Sequence, residues 1–198
     1  MRATTRRELL AGPAGKIECA VDEPEGTPRG VALIAHPHPL FGGTLDNKVV
    51  QTLARAFVDL GYSAWRPNFR GVGASEGRHD EGRGEVDDLA AVIEFTKNRN
   101  PVLAGFSFGA AMHTKLAQIM PPERMVLVGL AVNKFPAPPV PADTLVIHGE
   151  KDDTAPLAAV LAWALPQDLP VVVVPGADHF FHKRLNILRA IVRNNWRT

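Results

Sequence analysis

Short runs of apolar, mostly β-branched residues recur along the chain, separated by stretches with helical spacing. None shows the in-out alternation of a sheet with one solvated face, so each is predicted to be a strand buried on both faces. Such strands predict a doubly wound α/β fold, with a mostly parallel sheet flanked by helices. The predicted strands are Val31–Ala35, Val102–Phe106, Met125–Leu130, Leu145–His148 and Val171–Val174. The predicted helices lie within 49–60, 86–93 and 185–196.

Two further segments complete this architecture. Another strand is predicted at Ser63–Arg66, and the runs Arg7–Leu10 and Ile17–Val21 are joined by the turn-rich sequence AGPAG. We expect these two runs to form an antiparallel hairpin at the edge of the sheet. The proline-rich stretch 133–142 is short and has strands on both sides, so it is interpreted as a loop. Residues 1–198 are therefore predicted to form a single domain.

Composition excludes several classes of function. Lys plus Arg total 22 and Asp plus Glu total 21, and a net charge of +1 gives no reason to expect nucleic acid or an acidic surface as a partner. No apolar stretch approaches the roughly 20 residues of a transmembrane helix. The single cysteine, Cys19, rules out an internal disulfide framework and favours a reducing compartment. We expect a cytoplasmic protein without nucleic-acid or membrane partners, and the sequence carries no signal for its oligomeric state.

The pentapeptide GFSFG at residues 105–109 directly follows a predicted strand and precedes a helical segment beginning near Ala110. A nucleophile elbow needs this arrangement, because a tight strand-to-helix turn exposes the serine hydroxyl at the C-terminal edge of the sheet. The two glycines leave space where a β-carbon would meet neighbouring backbone. An ordinary glycine-rich turn is the alternative, but the flanking strand and helix favour Ser107 as a nucleophile.

A serine nucleophile needs a base and an orienting carboxylate, which follow an elbow in the order acid, then histidine. The strand Leu145–His148 leads into GEKDDTAP, where Asp152 and Asp153 are both candidate acids. Asp152 is favoured because of its place in the turn ahead of Pro156, whereas Asp153 fits a surface or helix-capping carboxylate. The last predicted strand is followed by PGADHFF, which places His179 where the base belongs.

Closely spaced histidines raise the alternative of a metal site. His179 and His182 are three residues apart, and His36 and His38 are two apart, but neither pair has an HExxH pattern. We interpret His182 as part of the first turn of the last helix and His36 as a structural hydrogen-bonding residue. The sequence RGVGASEG at residues 70–77 departs from a dinucleotide-binding loop, because its third glycine comes one residue late and no helix follows at once. We expect no metal and no cofactor.

The stretch HPHPLFGG, which follows the first predicted parallel strand, is the candidate oxyanion loop. A tetrahedral intermediate needs two backbone N–H donors, of which one comes from the residue after the nucleophile, here Phe108. The other is expected from this loop. Pro37 and Pro39 have no N–H, so His38 is favoured and Leu40 is the alternative.

Together these motifs resemble the α/β-hydrolase superfamily. The elbow GFSFG, the acid turn HGEKDDTAP and the base turn PGADHFF occur in the order of that superfamily. The stretches HPHPLFGGTLDNKVV and RPNFRGVGASEG resemble a small uncapped bacterial branch related to dienelactone-hydrolase-like proteins and serine esterases. The resemblance runs from about Gly30 to the C-terminus and implies an α/β-hydrolase fold. Dienelactone hydrolases use a cysteine nucleophile, whereas this elbow has Ser107, which argues against a simple transfer of their activity.

The length of one loop bears on the substrate. Capped members of the superfamily insert a helical lid after the strand that here ends near Leu130, and the 12 residues Ala131–Ala142 cannot build one. Ser107 is therefore expected to open to solvent in a shallow groove, with Phe41, Phe108 and Phe180 as candidate pocket walls. We predict a serine hydrolase that cleaves small or carrier-bound carboxylic esters or thioesters through an acyl-enzyme, with a small-molecule acyl substrate.

Two alternatives stay open at this level. A serine peptidase or amidase would use the same serine, histidine and acid, and only a comparison of amide with ester turnover separates it from an esterase. A non-catalytic binding protein on a hydrolase scaffold is the other, and the complete set of three residues argues against it. The shared fold alone would not decide between these functions.

Overall fold

The computed structural model describes residues 5–196, and its strands form one eight-stranded sheet. The strands are β1 (Arg6–Gly12), β2 (Gly15–Asp22), β3 (Val31–Ala35), β4 (Ser63–Pro67), β5 (Val102–Phe106), β6 (Arg124–Val128), β7 (Leu145–Gly149) and β8 (Val171–Val174). Their order across the sheet is β1-β2-β4-β3-β5-β6-β7-β8. From β4 to β8 in this order, each strand is parallel to its neighbours, whereas β2 is antiparallel to both β1 and β4. The predicted α/β architecture with an N-terminal hairpin is confirmed.

Helices cover both faces of the sheet. They are α1 (Lys48–Asp59), α2 (Arg83–Thr96), α3 (Phe108–Leu116), α4 (Leu157–Ala164) and α5 (Leu185–Asn195). Along β3, Ala32 and Ile34 pack into the cluster formed with α1 and α5. Leu33 and Ala35 pack into the opposite cluster, formed with α2 and α3. Because successive side chains of a strand alternate between two apolar layers, the sequence shows no polar-apolar alternation.

The structure corrects several details of the predicted elements. β8 is an edge strand paired only with β7, and its residues Val171–Val173 are partly or largely exposed, so it is not buried on both faces. β6 begins at Arg124 and ends at Val128, earlier than predicted. α3 begins at Phe108, directly after the serine. His182 lies in the turn before α5, not in that helix, which starts at Leu185.

The loop RGVGASEG closes onto the β1–β2 hairpin. The Glu76 N–H donates to the Lys16 carbonyl at 2.8 Å, and the Lys16 N–H donates to the Glu76 carboxylate at 2.8 Å. The Ala74 N–H donates to the carboxylate of Glu18 at 2.9 Å, and the Glu18 N–H donates to the Ser75 hydroxyl at 2.9 Å. The polar groups of this loop are thus used to fasten the hairpin to the sheet.

Two more features of the fold concern its interior and its connections. Cys19 is completely buried on β2 and packs in the cluster of α2 and α3. The connection between β6 and β7, residues 129–144, contains neither helix nor strand and forms no lid domain. Within residues 5–196, no helix is long and apolar enough to span a bilayer.

Candidate active site

Ser107 occupies a sharp turn between β5 and α3. Its φ of 56° lies in the left-handed region, and its N–H donates to the Val128 carbonyl of the neighbouring strand at 2.9 Å. A β-carbon at Gly105 would lie 2.6 Å from the Ala110 nitrogen, and one at Gly109 would lie 2.4 Å from the Ala35 carbonyl oxygen. Glycine is therefore required at both positions, because only a residue without a side chain lets β5, α3 and the end of β3 approach so closely.

Three side chains from separate loops meet at the C-terminal edge of the sheet. His179 Nε2 lies 3.0 Å from the Ser107 hydroxyl oxygen, and His179 Nδ1 lies 2.6 Å from Asp152 Oδ2. Ser107 follows β5, Asp152 follows β7 and His179 follows β8. Because the carboxyl ends of parallel strands share one edge, residues far apart in sequence become hydrogen-bonded neighbours here. The arrangement can withdraw a proton from the serine hydroxyl through the imidazole.

Asp152 is fixed on both of its oxygens. Oδ2 faces His179, while Oδ1 accepts hydrogen bonds from the N–H groups of Thr154 at 2.9 Å and Ala155 at 2.7 Å. Burial raises the pKa of the Asp152 carboxyl, but the hydrogen bonds from His179 and Ala155 outweigh burial and hold this pKa below its ordinary value. The group is therefore a carboxylate at neutral pH. The rival Asp153 has an exposed side chain.

His148, which the sequence analysis did not single out, supports this carboxylate from β7. Its Nε2 lies 2.7 Å from the Ala155 carbonyl oxygen and 3.4 Å from Asp152 Oδ2. A carbonyl only accepts, so Nε2 carries the hydrogen and donates it. Burial lowers the pKa of His148 and keeps the imidazole neutral. The signal for it was indirect, because a histidine one residue before the end of a buried strand needs polar partners.

The candidate oxyanion loop includes a single 3-10 turn, Pro39–Phe41, directly after His38. The Leu40 N–H donates to His38 Nδ1 at 3.2 Å and is thus already engaged. In the described part of the chain, the N–H groups of His38 and Phe108 have no acceptor. A β-carbon at Gly43 would lie 2.0 Å from the Pro37 carbonyl oxygen, so the loop is folded tightly on itself. This geometry favours His38 over Leu40.

Aromatic rings hold the His38 side chain. Its ring centroid lies 4.9 Å from that of Phe108, 4.8 Å from that of His79 and 5.5 Å from that of Phe135. Burial and the neighbouring His79 lower the pKa of His38. Its imidazole is therefore neutral at pH 7, as the acceptor role of Nδ1 towards Leu40 requires.

Two further histidines, His36 and His182, have structural partners. His36 Nε2 accepts from the Phe69 N–H at 3.0 Å, and its Nδ1 donates to the Pro37 carbonyl at 2.6 Å, which agrees with the predicted structural role. Exposed His182 pairs through Nδ1 with Asp178 at 2.6 Å, whereas His179 faces the serine. Neither of the two histidine pairs considered as an alternative metal site therefore presents two free ring nitrogens to a common point.

A cavity of about 310 Å³ opens at Ser107 and His179. Of the predicted pocket walls, Phe41 and Phe180 line it, and Phe41 is 86% exposed at its rim. The prediction was wrong for Phe108, whose side chain is buried in the core and is not part of the lining. Five further lining residues were not predicted: Asn47, Ala131, Lys134, Phe135 and Thr154. For Ala131, Lys134 and Phe135, a signal existed in the sequence: they follow β6 closely and so lie at the same edge of the sheet as Ser107.

Comparisons with known proteins agree with this fold. The model of the family described as serine aminopeptidase, S33 matches residues 27–142. An α/β serine hydrolase without lid from Xanthomonas campestris is 35% identical, with a TM-score of 0.91 over 98% of this chain and 94% of that chain. An α/β serine hydrolase homologue from Coxiella burnetii is 38% identical, with a TM-score of 0.89 over the whole of both chains. An uncharacterized protein of Rickettsia prowazekii (strain Madrid E) is 34% identical, over 86% of this chain and 79% of that protein.

Proposed function

The chain belongs to the α/β-hydrolase family described as serine aminopeptidase, S33, and we propose that it hydrolyses small or carrier-bound carboxylic esters or thioesters. The observation that carries the proposal is the hydrogen-bonded series from Ser107 through His179 to Asp152, at 3.0 and 2.6 Å, on the wall of an open cavity. Serine, imidazole and carboxylate in this order are the parts that acyl transfer to a serine requires.

In the acylation step, Ser107 Oγ attacks the carbonyl carbon while His179 Nε2 accepts the hydroxyl proton. Asp152 holds Nδ1–H and stabilises the imidazolium that forms. The carbonyl oxygen becomes an oxyanion, and the N–H groups of Phe108 and His38 are the proposed donors to it. The bond to the leaving group then breaks, the imidazolium gives its proton to the departing oxygen or sulfur, and a serine ester remains.

Deacylation repeats these steps with water. His179 takes a proton from the water, the hydroxide attacks the serine ester, and the returning proton restores the Ser107 hydroxyl. The open cavity gives water direct access to the acyl-enzyme, since the loop between β6 and β7 forms no lid domain over it. No step in this sequence requires a group beyond the side chains and backbone of this chain.

Peptide or amide hydrolysis is the second candidate, and the description of the matching family favours it. An aminopeptidase must hold the positively charged amino terminus of its substrate, for which a carboxylate is the usual partner. Among the described residues that line the cavity there is no carboxylate, and Lys134 contributes a positive charge. The lining therefore favours esters or thioesters over peptides with a free amino terminus.

Labelling with a fluorophosphonate probe tests the proposal, because the probe reacts with an activated serine whatever the natural substrate. We expect one adduct, mapped by mass spectrometry to Ser107, and none in Ser107→Ala. His179→Gln should slow the labelling strongly, since it removes the base. Folded protein that stays unlabelled would contradict the proposal and favour a binding protein on a hydrolase scaffold.

A matched pair of acetyl compounds separates the two candidate activities. 4-Nitrophenyl acetate and 4-nitroacetanilide share the acyl group and differ in the bond that is broken. We expect hydrolysis of the ester with a kcat/KM far above that of the anilide, relative to their uncatalysed rates. An equal or greater relative acceleration of the anilide would support an amidase instead.

A further inference from the structure

The cavity at Ser107 lies next to a second cavity of about 380 Å³. The two share Gly42, Asn47 and Phe180 in their linings. The second cavity adds Lys48, the first residue of α1, and Lys183, in the turn before α5. We name it the lysine groove, after Lys48 and Lys183. Because the two cavities lie side by side along these three residues, a molecule bound at the serine can reach the lysine groove by passing over them.

The positive charge of the lysine groove is not neutralised by the protein. Within residues 5–196, neither Lys48 nor Lys183 has a carboxylate within ion-pair distance. Asp46 is the one carboxylate in the described lining, and it pairs with Arg7 at 2.9 Å and with Arg66 at 3.6 Å. Two exposed ammonium groups are therefore left to meet an anion from outside.

The first cavity has the same sign of charge. Among the described residues that line it there is no arginine and no carboxylate, and Lys134 is the one lysine. Like Lys48 and Lys183, Lys134 has no carboxylate partner within residues 5–196. Burial and His79 are the main causes that lower the pKa of His38, and the positive charge of Lys134 adds to this lowering. Both cavities thus present a positive potential to a bound molecule, and a cationic substrate would be repelled.

The position of His179 indicates which part of the substrate reaches the lysine groove. The imidazole gives its proton to the departing atom, so the leaving group lies on the imidazole side of the reacting carbon. Phe180 follows His179 directly and lines both cavities, and Lys183 comes three residues later in the same turn. A leaving group that passes along Phe180 brings its far end to Lys183 and Lys48.

We propose that the site selects esters or thioesters whose leaving group bears a carboxylate or phosphate, bound by Lys48 and Lys183 in the lysine groove. This inference rests on the proposed function, since it names the leaving group of the same reaction. The anion is recognised by charge and by hydrogen bonds from two ammonium groups, so a small free ester and a phosphate-bearing carrier thiol would share it.

Three acetyl esters of equal shape test the proposal: 3-acetoxybenzoate, its neutral methyl ester, and the cationic 3-acetoxy-N,N,N-trimethylanilinium. An S-acetyl thioester of a phosphate-bearing pantetheine and its phosphate-free form make a second pair, which separates a carrier-type source from a small ester. Each kcat/KM is divided by the uncatalysed rate constant. We expect the anion to exceed the neutral ester by about tenfold at low salt, and the cation to be slowest.

The double variant Lys48→Gln/Lys183→Gln assigns the effect to the lysine groove. We expect the ratio of anionic to neutral kcat/KM to fall to near one, with fluorophosphonate labelling as the check that the serine remains activated. Lys97→Gln is the matched control, because Lys97 lines a different cavity that shares no residue with the two described above, and its ratio should equal that of the unmodified protein. Raising the salt concentration should erase the ratio in the same way.

The possible outcomes distinguish a wrong leaving group from a wrong assignment of serine hydrolase activity. Equal treatment of the three esters, a preference for the cation, or a ratio unchanged in the double variant would overturn the anionic leaving group while leaving the serine hydrolase intact. Where turnover is slow, the competition of each ester with fluorophosphonate labelling ranks their binding in the same order. If the protein showed no label and no turnover, this result would overturn the proposed function and this inference with it.

Discussion

Asp152 and Asp153 carry the same functional group one residue apart, and their surroundings are opposite. Asp152 receives two backbone N–H groups and faces His179, whereas the Asp153 side chain is exposed to solvent. The backbone turn after β7 therefore makes one carboxylate a rigid partner of the imidazole and leaves the other without a role in the site. This contrast gives a matched pair of variants.

Asp152→Asn should lower kcat by roughly 10³- to 10⁴-fold, because an amide at Oδ2 would favour the wrong histidine tautomer. Asp153→Asn should stay within about twofold of the unmodified protein, as surface changes usually do. Steady-state hydrolysis of 4-nitrophenyl acetate measures both, and circular dichroism verifies that each variant is folded. Equal losses in the two variants would contradict the assignment of the acid.

His36 couples stability to pH. Burial lowers the pKa of its imidazole from 6.5 to about 4, and both ring nitrogens are already hydrogen-bonded inside the protein. Between these two pH values the unfolded chain binds a proton at this group that the folded chain does not. The free energy of unfolding therefore decreases as the pH falls from 6.5 to 4, and this group contributes no further change below that window.

We expect His36 to account for about 3 kcal/mol of this loss, since one pKa unit corresponds to about 1.4 kcal/mol. Urea unfolding at a series of pH values between 7 and 4 measures it. His36→Gln should be less stable at pH 7, because a buried imidazole network is lost, yet show a shallower decline with acid. His182→Gln, at an exposed site, should keep the original slope, and an unchanged slope in His36→Gln would refute the coupling.

At the scale of elements, the site depends on how tightly the loop after β3 is folded. A β-carbon at Gly43 would lie 2.0 Å from the Pro37 carbonyl oxygen and 2.7 Å from that of His38. Any side chain there must move the backbone that orients the His38 N–H. The 3-10 turn between them, Pro39–Phe41, leaves no spare residue to absorb the shift.

Gly43→Ala should therefore lower kcat for esters by about 10²-fold, the usual cost of losing one oxyanion donor. Gly26→Ala is the control, because Gly26 has open space around it and no contact with the site, although its left-handed φ of 78° is not shared by Gly43. The control should lose some stability and keep its kcat. A Gly43→Ala enzyme with normal kcat would show that His38 is not a donor.

Elements with a strong local signal were predicted to within one or two residues. β3, β5 and β8 match their predicted bounds, and the hairpin pairs as expected. The prediction that β8 is buried on both faces was wrong. Its edge position follows from the order of the strands in the sheet, and no local sequence pattern contains that order. Its Val171–Val173 have the same composition as a central strand, and only the absence of a second neighbour exposes them.

The residues of the candidate site also differ in how far the sequence indicates them. The motif around Ser107 and the order of acid and base predicted three side chains that the structure brings together, because the proposed chemistry demands those residue types after those strands. Lys134 and Asn47 carry no such signature, since they reach the cavity through loops placed by tertiary packing, and His79 contacts the ring of His38 beside the cavity without lining it. Their presence at the site is a property of the folded chain and not of any short window in it.

At the scale of the whole molecule, the sheet order separates stability from chemistry. Ser107, Asp152 and His179 follow β5, β7 and β8, in the half of the sheet remote from the hairpin. The hairpin, held by the loop RGVGASEG, extends the other edge and covers part of the cluster with α2 and α3. Changes in the hairpin are therefore expected to alter folding more than the geometry of the serine.

The burial of Cys19 between β1 and β4 has a practical consequence. Burial raises the pKa of its thiol to about 12, so the folded protein offers almost no thiolate to an alkylating reagent at neutral pH. The chain has no other cysteine. Modification of this thiol therefore counts the openings of the sheet, and a ligand that binds only the folded state will slow it in proportion to its occupancy. The rate at which Cys19 is alkylated therefore reports the opening of the sheet at β2, a strand that supplies no lining residue to the cavity at Ser107.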